Sequence, residues 1–226
     1  MSRAPSVPFD MSTAPGRRRA WLDFFFRDYA YLRVIHPNAH WVGPDMVRTS
    51  QPWPFQLRAW KRRGIRTVLN LRGEFHKSHH VIEADACARL GLTLVDYLVF
   101  SRDVPTREEI WGAKRLFETL EYPVLMHCKS GADRAGLMAV LYRHFHLGEP
   151  IRQALAELSL RHGHVRQGLT GVIDHFFELY LAEGEPEGLT LLEWVDRPAY
   201  DPAAMKARFK AAWWGAALTE KLLRRE

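Results

Sequence analysis

The sequence predicts an α/β fold, a central and largely parallel sheet of about four to five strands flanked by helices. Two observations predict it. Short apolar runs, some of them β-branched, recur from about residue 40 onward. Stretches carrying helix start and stop signals separate them. No internal repeat is visible that would point to a solenoid instead.

The strand candidates are residues 40–47, 65–71, 92–99 and 123–127. One helix is expected to open at Pro54, a residue tolerated at a first helical position. A second covers 78–90 and stops at Gly91, which suits a left-handed C-terminal cap. A third starts at Thr106, where Thr106 and Glu109 have capping-box spacing. Beyond Cys128, helices are expected over 134–147, 151–161 and 171–183. Residues 21–35, with Trp21, Phe24, Phe25, Phe26, Tyr29 and Leu32, read as a further helix. Residues 1–20, rich in Pro, Ser and Arg, read as a disordered tail. The run 183–188 breaks the pattern, and 184–226 form an extension ending in an amphipathic helix over about 203–226. Met205, Phe209, Trp213 and Ala216 share one face of it, with Lys206, Arg208, Lys210 and Lys221 around them.

Composition narrows the function. Of 226 residues, 47% are hydrophobic, which excludes a globally disordered chain. The formal net charge is +6 and Arg outnumbers Lys; Arg favours planar oxyanions, phosphates included. Such a balance suits nucleic acid, anionic lipid or phosphorylated substrates. The two cysteines, Cys87 and Cys128, are too few for a disulfide framework and have the wrong pattern for zinc. Neither do the eleven histidines show zinc-site spacing. No apolar run approaches the roughly 18 residues that span a bilayer, and residues 1–20 lack the apolar core of a secretory signal. The expectation is a cytoplasmic protein; its aromatic, basic ends, 21–33 and 203–226, read as helices packed on the domain with solvated charges, with peripheral membrane contact as the alternative.

The chemistry is concentrated in His127-Cys-Lys-Ser-Gly-Ala-Asp-Arg134, between an apolar strand and a helix. Ligands of α/β folds bind at the carboxyl ends of strands. A short loop entering a helix turns several backbone N–H groups to one point, and the helix adds its positive end. Gly131 permits the curl. Lys129, Ser130, Gly131, Ala132, Asp133 and Arg134 would then form the phosphate cradle. Cys128 opens the loop, so the same groups favour the anionic form of its sulfur, a nucleophile for phosphorus. Arg134, six residues on, can return to bind two phosphate oxygens. Lys129 adds charge at the rim, and His127 supports the cysteine backbone. Cys87, among Ala84, Ala86 and Leu90, reads as core.

His-Cys-x5-Arg-x-Gly resembles the P-loop of the protein tyrosine phosphatase superfamily, in particular its bacterial dual-specificity-phosphatase-like branch. Arg48-Thr-Ser-Gln-Pro52, the run from Gly64 to Arg72, and Ser101-Arg-Asp-Val-Pro105 are similar to other positions of that branch. The resemblance covers roughly residues 40–183 and makes 21–183 the phosphatase domain. It implies a phosphocysteine intermediate on Cys128, hydrolysed by water, with no metal and no cofactor. Phosphoproteins (phosphotyrosine, phosphoserine or phosphothreonine) or anionic phospholipid head groups are the implied partners; no nucleic acid is expected. The family usually carries Ser or Thr after the arginine, whose hydroxyl helps the sulfur leave; Ala135 stands here instead. The general acid is expected to be Asp103, in the Asp-x-Pro segment that resembles the family's acid loop, with Asp133 of the P-loop as the alternative. Two other functions fit a cysteine in an anion-cradling loop, a rhodanese-like sulfurtransferase and a non-catalytic phosphate-binding module.

Overall fold

The computed structural model describes residues 9–73 and 75–211. The chain forms two compact units, one within Met1–Val99 and Thr119–Ala139, the other within Phe100–Glu118 and Val140–Glu226.

The first unit holds the sheet. Its strands are β1 (His40–Trp41), β2 (Met46–Ser50), β3 (Thr67–Asn70), β4 (Thr93–Asp96) and β5 (Val124–Cys128). Their order is β1-β2-β5-β3-β4, with β1 antiparallel to β2 and the other pairings parallel. The expected strand over 40–47 is thus a hairpin, because Gly43-Pro44-Asp45 breaks the ladder with turn chemistry and a residue lacking an N–H. β5 is central and wholly buried, and the register sets Ser50 of β2 beside Cys128.

Before the sheet, helix α1 runs over Ala14–Phe26, capped by the Thr13 side chain, which accepts the Gly16 N–H at 3.2 Å. Residues 14–20 are therefore helical, where a disordered tail was expected; residues 1–8 lie outside the described residues. The single helix expected over 21–35 is broken. Tyr29 takes a left-handed φ of 55°, and only Leu32–Ile35 form α2. Arg33 binds both the carboxylate and the carbonyl of Asp28, folding the chain back on itself, and Arg72, 44 residues on, holds the other carboxylate oxygen. Helices α3 (Pro54–Arg62) and α4 (Ser78–Leu90) cover the sheet through Leu57, Ala86 and Cys87, packed with Val47, Val68 and Leu125. Gly91 caps α4 in the left-handed region as expected, φ 62°. Phe24 and Ala20 of α1 pack with Ile82 of α4.

The described part of the second unit is helical. Helix α5 (Arg107–Thr119) starts in the unit's Phe100–Glu118 segment, and Thr106 and Glu109 exchange the two bonds of the capping box. Helix α6 (Asp133–Phe145) brings the chain in from the P-loop. The helices expected over 151–161 and 171–183 are shorter: α7 is Ile151–Ala154, followed by 3₁₀ turns, and α8 is Val172–Leu179, widening into a π turn over Tyr180–Gly184. Helix α9 (Leu191–Val195) places Trp194 against Phe176, Tyr180 and Tyr200. Residues 202–211 are helical with Met205 buried; the expected positions Trp213, Ala216 and Lys221 lie outside the described residues. Among the described residues no helix is long and apolar enough to cross a membrane.

Candidate active site

The site is built on the end of β5. The strand finishes at Cys128, 2% exposed, and α6 begins five residues later. Between them the backbone curls through Gly131, φ +73°. Four successive loop carbonyls are tied to donors of the surrounding frame. Lys129 O accepts from Gln51 N at 3.2 Å and Ser130 O from Asn38 Nδ2 at 2.9 Å. Gly131 O and Ala132 O both accept from Arg48 Nη2 at 2.8 Å. Carbonyls held outward turn the intervening N–H groups toward the concave side, the geometry of an anion nest. There the Gly131 N–H donates to Cys128 Sγ at 3.2 Å. One backbone dipole, that of Gly131, thus already faces the sulfur.

The support beneath the loop is polar and buried. His127, fully buried, has Nδ1 3.4 Å from the Cys128 carbonyl and Nε2 2.8 Å from Glu83 Oε1. Glu83 Oε1 also accepts from Gln51 Nε2 at 2.8 Å.

The rim carries a charge cluster around Asp28. Arg33 and Arg72 reach its carboxylate at 2.6 and 2.8 Å, and Lys129 Nζ lies 3.4 Å away. Burial opposes the charge of Asp28, yet the Arg72 hydrogen bonds and the neighbouring cations hold its carboxyl well below the usual range. Lys129 is half-exposed, and its ammonium stands 5.9 Å from the centre of the Tyr29 ring. Part of its charge is therefore spent on Asp28. His79 nearby is pushed down to about 3 by burial and then by Arg72. Cys87 is a core residue, 1% exposed, its thiol pushed up to about 12 chiefly by burial.

Arg134 and Asp133 open α6 and are half-buried; Ala135 is completely buried. Asp103 lies in the second unit, where its carboxylate pairs with Lys206 of the helical segment 202–211. His164 and His162 are structural there, His164 pairing with Asp174 at 2.7 Å and His162 standing 3.8 Å from Glu157. Among the described residues no group of three or more His, Cys, Asp or Glu is arranged to hold a metal ion.

Sequence reasoning missed the frame that holds the loop. Arg48 was visible only as part of a motif, yet it is a fully buried arginine inside β2. A charged residue within an apolar strand was the available signal. Asn38 left none, because its partner lies 92 residues away, and of the two arginines that bind Asp28 one, Arg72, lies 44 residues away.

Cys128 under a nest at a strand's carboxyl end, followed by Arg134 on a helix, is an arrangement for binding an oxyanion over a thiol. A family model described as "DSP-PTPase phosphatase fused to NAD+ Kinase" matches residues 45–169. The chain belongs to this phosphatase family. Among curated proteins it is similar to the dual specificity protein phosphatase TpbA of Pseudomonas aeruginosa, 28% identical over 143 residues. That match spans 59% of this chain and 59% of the relative's length. Among solved structures, Tk-PTP in its active form matches with a TM-score of 0.50 and 21% identity, over 63% of this chain and 98% of that one. TpbA of P. aeruginosa in complex with pTyr matches with a TM-score of 0.50 and 21% identity, over 66% and 92%. At those identities the two structures support the fold, the expected α/β architecture of a dual-specificity-like phosphatase.

Proposed function

We propose that this chain hydrolyses phosphate monoesters through a phosphocysteine on Cys128. The observation that carries the reading is the Gly131 N–H aimed at Cys128 Sγ in a loop whose carbonyls are all tied outward. The same nest accepts the phosphoryl oxygens, with Arg134 as bidentate clamp. The sulfur's electron pair forms the S–P bond as the P–O bond to the leaving group breaks, and a carboxylic acid gives that oxygen its proton. Water then attacks phosphorus and gives a proton to the carboxylate left by the first step, the S–P bond breaks with its electron pair returning to sulfur, and inorganic phosphate leaves.

Asp103 is the proposed acid. Its carboxylate pairs with Lys206 within the second unit. Asp133 at the start of α6 is the other carboxylate available. Substrates in this reading are phosphotyrosine, phosphoserine or phosphothreonine in proteins, or an anionic phospholipid head group, met from the cytoplasm. The dual-specificity naming of TpbA and its complex with pTyr support the first group.

The test is turnover of p-nitrophenyl phosphate by wild type, Cys128→Ser and Arg134→Lys. Both variants should lose it, since an alcohol has no accessible anion and a point charge cannot replace a planar fork. Undiminished turnover by Cys128→Ser would remove the phosphocysteine. Cyanide-dependent release of thiocyanate from thiosulfate, without phosphatase activity, would establish the sulfurtransferase instead.

A further inference from the structure

The first unit exposes an apolar surface that its own fold does not cover. Among residues 21–35, Phe26 is 62% exposed, Leu32 54% and Ile35 83%, and Phe55 of α3 is 54% exposed. Scattered exposed apolar residues are ordinary, but Phe26 packs on Phe25, 5.0 Å between ring centres, and Phe55 on Trp53, so both join one series of rings. Aromatic rings form an unbroken series from Phe55 to Trp53 (6.0 Å between centres), Phe25 (6.3 Å), Tyr31 (5.4 Å) and Tyr29 (6.4 Å). The series ends under Lys129 of the P-loop. A hydrophobic strip therefore runs to the rim of the candidate active site.

Within residues 14–35 the exposed charges have one sign. The exposed charged residues of 14–35 are Arg17, Arg18, Arg19 and Arg27, while Asp28 is buried and Asp23 is half-buried. Asp23 accepts from Ser78 and lies 3.7 Å from Arg27, whose own side chain is 86% exposed. Exposed Trp, Tyr and Phe beside arginines match the boundary between acyl chains and anionic headgroups, where rings insert and cations meet phosphate. A second copy of the chain fits less well, because the same arginine-bearing surface would face itself and like charges would repel.

We propose that this strip is a membrane-docking face for anionic lipid, which seats Phe26, Ile35 and the ring series in the interface and brings Lys129 and the P-loop to headgroup level. The proposal stands on exposure and charge and does not depend on the hydrolase reading. It goes beyond the sequence expectation by joining the contact on the 21–35 segment to the P-loop through the ring series and Lys129.

The experiment is flotation of the full chain with vesicles of phosphatidylcholine alone or mixed with phosphatidylglycerol, using the Cys128→Ser background so that turnover plays no part. Binding to the mixed vesicles should exceed binding to phosphatidylcholine and weaken with salt. Phe26→Ser/Ile35→Ser should lower partitioning about tenfold or more, since both side chains lose most of their transfer free energy. Arg18→Glu/Arg19→Glu should remove the preference for the anionic vesicles. In otherwise native background, Phe26→Ser/Ile35→Ser should keep wild-type turnover of p-nitrophenyl phosphate and an unchanged circular dichroism spectrum. No binding to anionic vesicles, or equal binding by the serine variant, overturns the proposal. So does a dimer in sedimentation analysis that the serine variant abolishes, which would make the strip an interface between copies.

Discussion

Replacing Gly131 by alanine tests how the P-loop is held. A Cβ at this position would stand 2.7 Å from Ser50 N and from the Thr49 carbonyl carbon, and 2.8 Å from Thr49 O. These are backbone atoms of β2, which pairs with β5 in the sheet, so no flexible side chain can move aside. The residue also has φ +73°, where a side chain costs about 1–2 kcal/mol. Forced overpacking adds about 1–3 kcal/mol. Gly148 supplies the control, because it shares φ +73° but has nothing within 4 Å of its would-be Cβ. Gly148→Ala should therefore cost only the conformational part, reduced by about 0.4–1 kcal/mol through the stiffer unfolded chain. Gly131→Ala should cost about 1–3 kcal/mol more than that control, the overpacking contribution alone. It should also lose turnover, because the loop can relieve the clash only by lifting its amides off Cys128. Urea unfolding followed by tryptophan fluorescence and p-nitrophenyl phosphate turnover measure the two effects. Equal destabilisation by both variants, with activity retained in Gly131→Ala, would show that the loop is not clamped between β2 and the sulfur.

Other outcomes follow from the same geometry. Asp103→Asn should lower kcat on an alkyl phosphate by about 10²–10⁴, with a smaller loss on substrates whose leaving groups are acidic; retention by Asp103→Asn together with loss by Asp133→Asn would transfer the acid role to Asp133. Ala135→Ser should raise steady-state turnover and shrink the phosphoenzyme burst seen by rapid quench, by restoring a hydroxyl near the leaving sulfur; an unchanged burst would show that hydrolysis of the intermediate does not need that hydroxyl. His79 is held neutral, at about 3 against an ordinary 6.5, so in acid the unfolded chain takes up a proton that the folded chain does not. Its contribution to stability should be complete above about 6.5 and fall steadily as pH drops toward about 3, and the His79→Gln variant should show a shallower decline in thermal midpoint across that window.

Much of the site was legible because its signals are local. A buried strand, a cysteine at its end, a glycine three residues on and an arginine six residues on lie within one short stretch, and each has a chemical reason to be there. The Thr106–Glu109 box and the Gly91 cap were readable for the same cause, since caps are made by neighbours in sequence. What failed were the long uninterrupted elements. The helix over 21–35 looked continuous because apolar periodicity ignores what an aspartate will bind. Asp28 is drawn toward Arg33 and Arg72, and the chain leaves the helix to reach them.

By itself, then, the sequence determined the alternation of strands and helices and the P-loop with the candidate residues inside it. These depend on side-chain pattern and backbone freedom over a few residues. Tertiary structure alone decided which distant groups hold the loop open: Arg48 on two carbonyls, Asn38 on a third, Gln51 on a fourth. It also decided that Lys129 shares its charge with Asp28, that Asp103 meets Lys206, and that the aromatic segment after α1 remains uncovered. The physical reason is common to all of them. A buried or shared charge is settled by which partners folding brings within a few ångströms, and sequence spacing carries no record of that distance.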